Sequence, residues 1–184
     1  MKNKSLIIVI VALIAVVAVA AIVYPSLANK ANEALEATTS ASQDKTDEAS
    51  YPKASDIKLF DKDGKEVLLS DFYGKPIILN FWATWCGYCI QEMPDFEAAF
   101  RKYGDDVQFL IVNTDDGISK GEAFIKDKGY TFPTYYDLEY SAAITYGITG
   151  IPRTIALDKD GLIRYNRSGM LSADALEQVI SLIK

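Results

Sequence analysis

The stretch Phe81-Trp82-Ala83-Thr84-Trp85-Cys86-Gly87-Tyr88-Cys89 contains both cysteines of the 184-residue chain. The apolar run at 76–82 predicts a buried strand, and the spacing of apolar residues across 90–100 predicts a helix. The cysteines therefore lie at a strand-to-helix junction, with Cys86 near the helix N-terminus. Free backbone N–H groups and the helix dipole stabilise a thiolate there, which makes the thiol a better nucleophile.

Other uses of a closely spaced cysteine pair fit this sequence poorly. A structural disulfide closing a loop of about four residues stabilises a fold by only roughly 2 kcal/mol. A zinc site needs about four ligands, but the chain has no histidine and no third cysteine. Haem attachment would require a histidine directly after Cys89, where Ile90 stands. The pattern favours redox catalysis, and we expect neither a metal nor an organic cofactor.

The cysteine stretch resembles the active-site segment of thioredoxins. Glu92-Met93-Pro94 narrows the resemblance to the TlpA/ResA branch of membrane-anchored, extracytoplasmic thiol-disulfide oxidoreductases, and the likeness covers about residues 55–184. It implies an α/β thioredoxin fold, in which helices flank a mixed central sheet. The branch adds an N-terminal β-hairpin and a central insertion, and one transmembrane helix precedes the domain.

The N-terminal third of the chain predicts an anchor and a tether. Residues 6–23 are 18 uninterrupted apolar residues, which as a helix would span about 27 Å, close to the hydrocarbon thickness of a bilayer. Lys2 and Lys4 precede this segment, so we expect residues 1–5 in the cytoplasm and the rest outside. The alternative is a cleaved signal peptide and a secreted protein, since Ser26-Leu27-Ala28 offers small residues for cleavage.

Composition and charge indicate how the rest of the chain is organised and which class of partner it disfavours. Residues 24–50 are polar and lack the apolar surface needed to fold, so they predict a flexible linker before a domain at 51–184. The formal net charge is −6, and −6 − 2 = −8 without Lys2 and Lys4. This balance argues against nucleic acid as a partner.

The domain's order of elements, β-α-β followed by β-β-α, implies a mixed sheet with helices on both faces. Two Asp-Lys-Asp-Gly turns, at 61–64 and 158–161, each predict a hairpin. The predicted elements are a hairpin of 57–60 and 67–69, a strand at 77–81, a helix from about Cys86 to Tyr103 that Pro94 should kink, a strand at 107–113, a helix opened by a Ser119–Glu122 capping box and ending near Lys128, an insertion including 131–137, a helix at about 140–146, a hairpin of 154–157 and 162–165, and a last helix capped by Ser172.

The resemblance assigns roles around the cysteines. Cys86 would attack the client and Cys89 would resolve the mixed disulfide. Glu92 would lie near the pair and handle protons, because thioredoxins carry a buried aspartate at the position of Asn80 and asparagine cannot serve that purpose. The alternatives are that Glu92 is an exposed helix residue and that Asn80 is no more than a hydrogen-bonding strand residue.

The segment Gly150-Ile151-Pro152-Arg153-Thr154 resembles the cis-proline loop that faces the cysteines in thioredoxin folds. It would leave the Ile151 backbone, beside Pro152, free to pair with an extended substrate. Arg153 could stabilise a thiolate or lie in solvent. Trp85 and Tyr88 would be exposed contact surface for substrate, whereas Trp82 would belong to the core.

Function follows from the resemblance as a leading hypothesis with alternatives. An extracytoplasmic reductase would take electrons from a membrane thiol-disulfide donor and pass them to cysteine-containing clients, with apocytochrome c as one client class. The alternatives are a disulfide oxidase or isomerase, and a non-enzymatic binding module tethered to the membrane. DsbA-like oxidases carry a large helical insertion that this chain cannot accommodate. A peroxidase would need a P-x-x-x-T-x-x-C signature, which the sequence lacks.

Overall fold

The computed structural model describes residues 51–114 and 117–184. The predicted cytoplasmic N-terminus, anchor and linker at 1–50 lie outside the described residues. Within the described part, no helix is long and apolar enough to cross a membrane. The elements in chain order are β1 (Lys58–Phe60), β2 (Glu66–Leu68), a 3-10 turn (Leu69–Phe72), β3 (Ile77–Trp82), α1 (Gly87–Tyr103), β4 (Gln108–Asn113), α2 (Ile118–Lys128), β5 (Thr134–Tyr136), α3 (Ser141–Thr145), β6 (Arg153–Leu157), β7 (Ile163–Ser168) and α4 (Ala173–Ile183).

The strands form one mixed sheet in the order β2-β1-β5-β4-β3-β6-β7. Strand β3 pairs parallel with β4 and antiparallel with β6, and β4 pairs parallel with β5. Both predicted hairpins are confirmed, since β1 pairs with β2 and β6 with β7 in antiparallel register. Strand β3, which leads into the cysteines, is therefore central and supported on both sides.

Apolar clusters cover both faces of the sheet, and β3 supplies residues to each. Ile78 and Trp82 belong to the cluster that includes residues of α1 and α4, whereas Leu79 and Phe81 belong to the cluster on the other face. Side chains alternate between faces along a strand, so Asn80 lies on the same face as Ile78 and Trp82. This alternation directs the Asn80 amide toward helix α1.

Helix α2 departs from the predicted capping box. Gly117, with φ 72°, is the N-cap, and no side chain caps the helix. Ser119 already lies inside the first turn, and the Glu122 carboxylate accepts a hydrogen bond from Tyr136 Oη at 2.8 Å. The prediction was wrong because the chain enters the helix two residues earlier, through a backbone conformation that glycine adopts readily.

Other boundaries agree with the sequence. Ser172 Oγ accepts a hydrogen bond from the Ala175 N–H at the start of α4, which confirms the predicted cap. Helix α1 continues through Pro94, so the chain does not break there, and the kink stays a prediction. Part of the predicted insertion forms β5, a strand that local sequence did not indicate.

Candidate active site

Cys86 and Cys89 form a disulfide at the start of helix α1. Cys86 is the N-cap residue, and its Sγ accepts a hydrogen bond from the Cys89 backbone N–H at 3.2 Å. Cys86 keeps 6% of its surface exposed and Cys89 none. A reagent from solvent therefore meets Cys86 first, and the helix N-terminus can stabilise a thiolate on that sulfur.

Glu92 follows Cys89 by one helical turn and is buried, with 1% of its surface exposed. Its Oε1 accepts from Asn80 Nδ2 and its Oε2 from the Leu171 N–H, both at 2.8 Å. Burial raises the pKa of Glu92 to about 7, and these two hydrogen bonds offset only part of that effect. The alternative of an exposed helix glutamate is wrong.

Asn80 connects three elements behind the cysteines. Its Nδ2 donates to Glu92 on α1 and also to Thr154 Oγ1 on β6, at 3.2 Å. Asn80 and Thr154 are both buried and are directly paired in the β3–β6 register. Asn80 does form hydrogen bonds, as one alternative held, and its partners are the buried carboxyl group of Glu92 and the Thr154 hydroxyl group.

The predicted substrate-binding residues differ in exposure: Pro152 is buried and Ile151 is half-buried. The peptide bond between Ile151 and Pro152 is cis, as the resemblance implied. Trp85 and Tyr88 are 62% and 65% exposed, while Trp82 is fully buried in the core. Trp85 and Ile151 line one hollow together, whereas Tyr88 and Pro152 are not part of its lining.

Arg153 is bound along the neighbouring strand. Its Nε donates to Asn166 Oδ1 at 2.7 Å and its Nη1 to Ser168 Oγ at 3.0 Å, both on β7. The guanidinium is therefore not free in solvent, and these contacts direct it to β7.

Sequence reasoning missed two members of the site, Thr154 and the backbone of Leu171. Thr154 could have been found from strand pairing, because it lies opposite Asn80. The Leu171 N–H carries no side-chain signal at all. Among residues 51–114 and 117–184, no group of three or more His, Cys, Asp or Glu side chains is placed to hold a metal ion.

Comparison with known proteins places the chain among thiol-disulfide oxidoreductases, as a paired-cysteine site would suggest. The AhpC/TSA family model matches residues 52–166. The thiol-disulfide oxidoreductase ResA of Geobacillus thermodenitrificans is 33% identical over 144 residues, which cover 77% of this chain and 82% of that protein. The thioredoxin-like protein YneN of Bacillus subtilis is 33% identical over 133 residues, covering 71% of this chain and 78% of YneN.

A solved structure supports the same conclusion about the fold. The exposed lipoprotein thioredoxin Etrx1 of Streptococcus pneumoniae superposes with a TM-score of 0.61 at 29% identity, over 69% of this chain and 98% of that one. The predicted thioredoxin fold of the domain is therefore confirmed.

Proposed function

Because the chain belongs to the AhpC/TSA family and is a thiol-disulfide oxidoreductase similar to ResA, we propose that it reduces protein disulfides outside the cytoplasm. One observation carries the proposal. The buried carboxyl group of Glu92 follows the Cys86–Cys89 disulfide by one helical turn.

The proposed reaction is a two-step exchange. In the reduced protein, the Cys86 thiolate attacks one sulfur of the client disulfide, so a Cys86–client bond forms and the other client sulfur leaves as a thiolate. Cys89 then attacks Cys86 Sγ, which forms the Cys86–Cys89 disulfide and releases the second client thiolate. The client gains two electrons and two protons, and the protein is oxidised by the same amount.

Glu92 is suited to proton transfer in the second step. With a pKa of about 7, its carboxyl group is populated in both protonation states near neutral pH. Cys89 is fully buried and must lose its proton before it attacks. We propose that Glu92 accepts that proton, since Asn80 has no ionisable group.

The same carboxyl group favours reduction over oxidation. A carboxylate close to a thiolate destabilises it by charge repulsion. Strong thiol oxidants have a stabilised reduced form, so a site that disfavours the thiolate is expected to donate electrons. The chain also has no histidine that could supply a stabilising positive charge.

The place of action and the partners complete the proposal. Residues 6–23 would anchor the protein in the membrane and residues 24–50 would give the domain reach. The similar pneumococcal protein is described as an exposed lipoprotein, which accords with work outside the cytoplasm. Electrons would come from a membrane thiol-disulfide donor. Clients would be cysteine-containing proteins, with apocytochrome c as the class that the TlpA/ResA resemblance suggests.

The equilibrium reduction potential of the Cys86–Cys89 pair tests the direction of transfer. Titration against a dithiol buffer should give a value near or below that of thioredoxin, about −270 mV. A value between about −180 and −120 mV, in the range of protein disulfide isomerase and DsbA, would contradict the proposal and favour an isomerase or oxidase.

Cell fractionation tests the proposed location. Full-length protein should be found in the membrane, and protease added from outside should cut the domain away. A soluble product that begins at Asn29 would instead show that the N-terminal segment is a cleaved signal peptide.

A further inference from the structure

One oxygen atom of the Glu92 carboxyl group is connected to the cis proline through the chain that follows β7. Its Oε2 accepts a hydrogen bond from the Leu171 N–H at 2.8 Å. Two residues earlier, the Gly169 N–H donates to the Pro152 carbonyl oxygen at 2.9 Å. Residues 169–171, which we call the return segment, therefore run from the cis proline to the buried carboxyl group.

The other oxygen atom is connected to the strand that follows the cis proline. Glu92 Oε1 accepts from Asn80 Nδ2, and the same amide nitrogen donates to Thr154 Oγ1 at 3.2 Å. Thr154 is fully buried and lies two residues after Pro152. The carboxyl group is thus held by two hydrogen-bonded connections, and both of them lead back to the same loop.

The start of the return segment is itself fixed in place. Arg153, which follows the cis proline directly, donates side-chain hydrogen bonds to Asn166 and Ser168 on β7. Ser168 directly precedes Gly169, whose φ of 109° suits glycine and strains a residue with a Cβ. The guanidinium therefore ties β6 to the end of β7, and the glycine lets the chain turn there.

The charged groups around Glu92 leave its placement to these hydrogen bonds. Asp95, on the same helix, acts on the carboxyl group by charge repulsion and raises its pKa. Arg167 on β7 and Asp174 at the start of α4 are both exposed. In the reduced protein the two cysteine thiols of the same helix add further titratable groups. The position of the carboxyl group is therefore determined by its two hydrogen-bond donors.

We propose that Thr154 and the return segment are positioning groups that hold the Glu92 carboxyl group in place relative to the cis-proline loop, and thereby set the rate at which Cys89 resolves the mixed disulfide. The inference rests on the proposed function, in which Glu92 accepts the Cys89 proton. A proton acceptor must lie within hydrogen-bond reach of its donor, so a displaced carboxyl group slows the second step. The first step depends on Cys86 at the helix N-terminus and needs neither connection.

Dithiobis(nitrobenzoate) separates the two steps. This aromatic disulfide releases one coloured thiolate when Cys86 attacks it and a second when Cys89 resolves the mixed disulfide. Reduced full-length protein would be mixed with the reagent in a stopped-flow instrument at a series of pH values. Both release rates would then be compared between wild type and variants of the two connections.

Gly169→Ala tests the return segment. An added Cβ there meets nothing within 4 Å beyond the adjoining residues, so the variant strains the backbone and displaces the Leu171 N–H without a clash. The second release should slow about tenfold, a part of the effect of a positioned base, while the first changes less than about twofold. Weaker donation to the carboxylate raises the pKa of Glu92, so the pH midpoint of the second release should move upward.

Gly74→Ala is the matched control for backbone strain. Gly74 has a φ of 98°, an added Cβ there also meets nothing within 4 Å, and it lies after the 3-10 turn, outside both connections. Both alanine variants should melt at a lower temperature than wild type, but only Gly169→Ala should slow the second release. An equal slowing in Gly74→Ala would mean that strain alone is responsible and would overturn the proposal.

Thr154→Val tests the other connection without changing the backbone. It leaves the Asn80–Glu92 bond in place but frees the Asn80 amide to turn, so the second release should slow. Thr154→Ser, which keeps the hydroxyl group, should retain the wild-type rate. Wild-type rates of second release in both Gly169→Ala and Thr154→Val would overturn the proposal.

A double variant shows whether the effect passes through Glu92. Gly169→Ala combined with Glu92→Gln should slow the second release no more than Glu92→Gln alone, because the group being positioned is absent. A further loss of about tenfold in the double variant would contradict the proposal. Failure of the wild type to complete both releases would overturn the proposed function itself, whereas normal releases with unchanged variants overturn the positioning alone.

Discussion

Asn80 Nδ2 donates a hydrogen bond of 2.8 Å to Glu92 Oε1, which joins the strand before the cysteines to the helix that begins with them. The second Glu92 oxygen accepts from the Leu171 N–H, in the segment between β7 and α4. The carboxyl group is therefore held from two sides while it stays out of water. Its protonation state is set by burial and by these two donors.

Asn80→Ala should raise the pKa of Glu92 further above its ordinary value. The variant removes one donor from the carboxylate while the burial that raises the pKa remains. A hydrogen bond to a charged group contributes about 1.5–3 kcal/mol, so the pKa of Glu92 should rise by about 1 to 2. Carboxyl carbon NMR titration of the oxidised protein would measure it. Thr154→Val, which leaves the Asn80–Glu92 bond in place, is the control, and an unchanged pKa in Asn80→Ala would show that the bond contributes nothing.

Glu92→Gln should lower the apparent pKa of the reactive thiol. The substitution keeps the shape and removes a carboxylate whose charge disfavours a nearby thiolate, so a fall of about 1 unit is expected. Because the thiol and carboxyl titrations are coupled, the wild-type curve should also be broader. The measurement is the pH dependence of alkylation of the reduced protein.

Asp95→Asn is the matched control for that experiment. It removes a carboxylate from the same helix, three residues further from the cysteines. Because the Asp95 charge contributes to the raised pKa of Glu92, the variant should lower that pKa slightly and shift the thiol titration less than Glu92→Gln does. Curves that superimpose for wild type and Glu92→Gln would show that proton transfer depends on water or another group.

The stability of the oxidised protein should fall as the pH rises from about 4.5 to about 7. The folded-state pKa of Glu92 is about 7 against an ordinary value of 4.5, so the unfolded chain binds fewer protons than the folded one in that window. The contribution of the protonated carboxyl is complete below pH 4.5 and is lost as the pH passes 7. A difference of this size between the folded and unfolded pKa of Glu92 amounts to at most about 3 kcal/mol of unfolding free energy.

Urea unfolding at a series of pH values would measure this fall. Glu92→Gln, which cannot ionise, should lose less stability across the same window. Parallel curves for the two proteins would contradict the burial of an ionisable group at this position. The disulfide must stay intact, so that thiol titration does not contribute.

Elements specified by neighbouring residues could be predicted from the sequence. Both Asp-Lys-Asp-Gly turns give hairpins, and Ser172 caps its helix, because turn chemistry and capping act over a few residues. The position of Cys86 at a helix N-terminus followed equally from the strand and helix patterns around it. Strand β5 was not predicted, since it has three residues and its partners β4 and β1 are distant in the chain.

The environment of Glu92 depended on contacts that local sequence does not specify. Leu171 is 79 residues away, and Thr154 is 74 residues from Asn80. A glutamate in a helix is usually exposed, so the residue type predicted that the Glu92 side chain lies in solvent. Its spacing from Cys89 predicted instead that it lies beside the cysteine pair. Its burial and its hydrogen bonds to Asn80 on β3 and to the Leu171 N–H decide between them.

Cys89→Ser should trap mixed disulfides with clients, whereas Cys86→Ser should not. Cys86 is the N-cap of α1 and retains some exposure, while Cys89 is fully buried and can reach only the sulfur in front of it. With serine at 89 the Cys86–client bond has no resolving thiol, so the complex persists. Extracytoplasmic proteins would be acid-quenched, alkylated and separated without reductant, and adducts should vanish when reductant is added. The double variant Cys86→Ser with Cys89→Ser controls for non-covalent association. Adducts through Cys89 in the Cys86→Ser protein would reverse the assignment of the two cysteines.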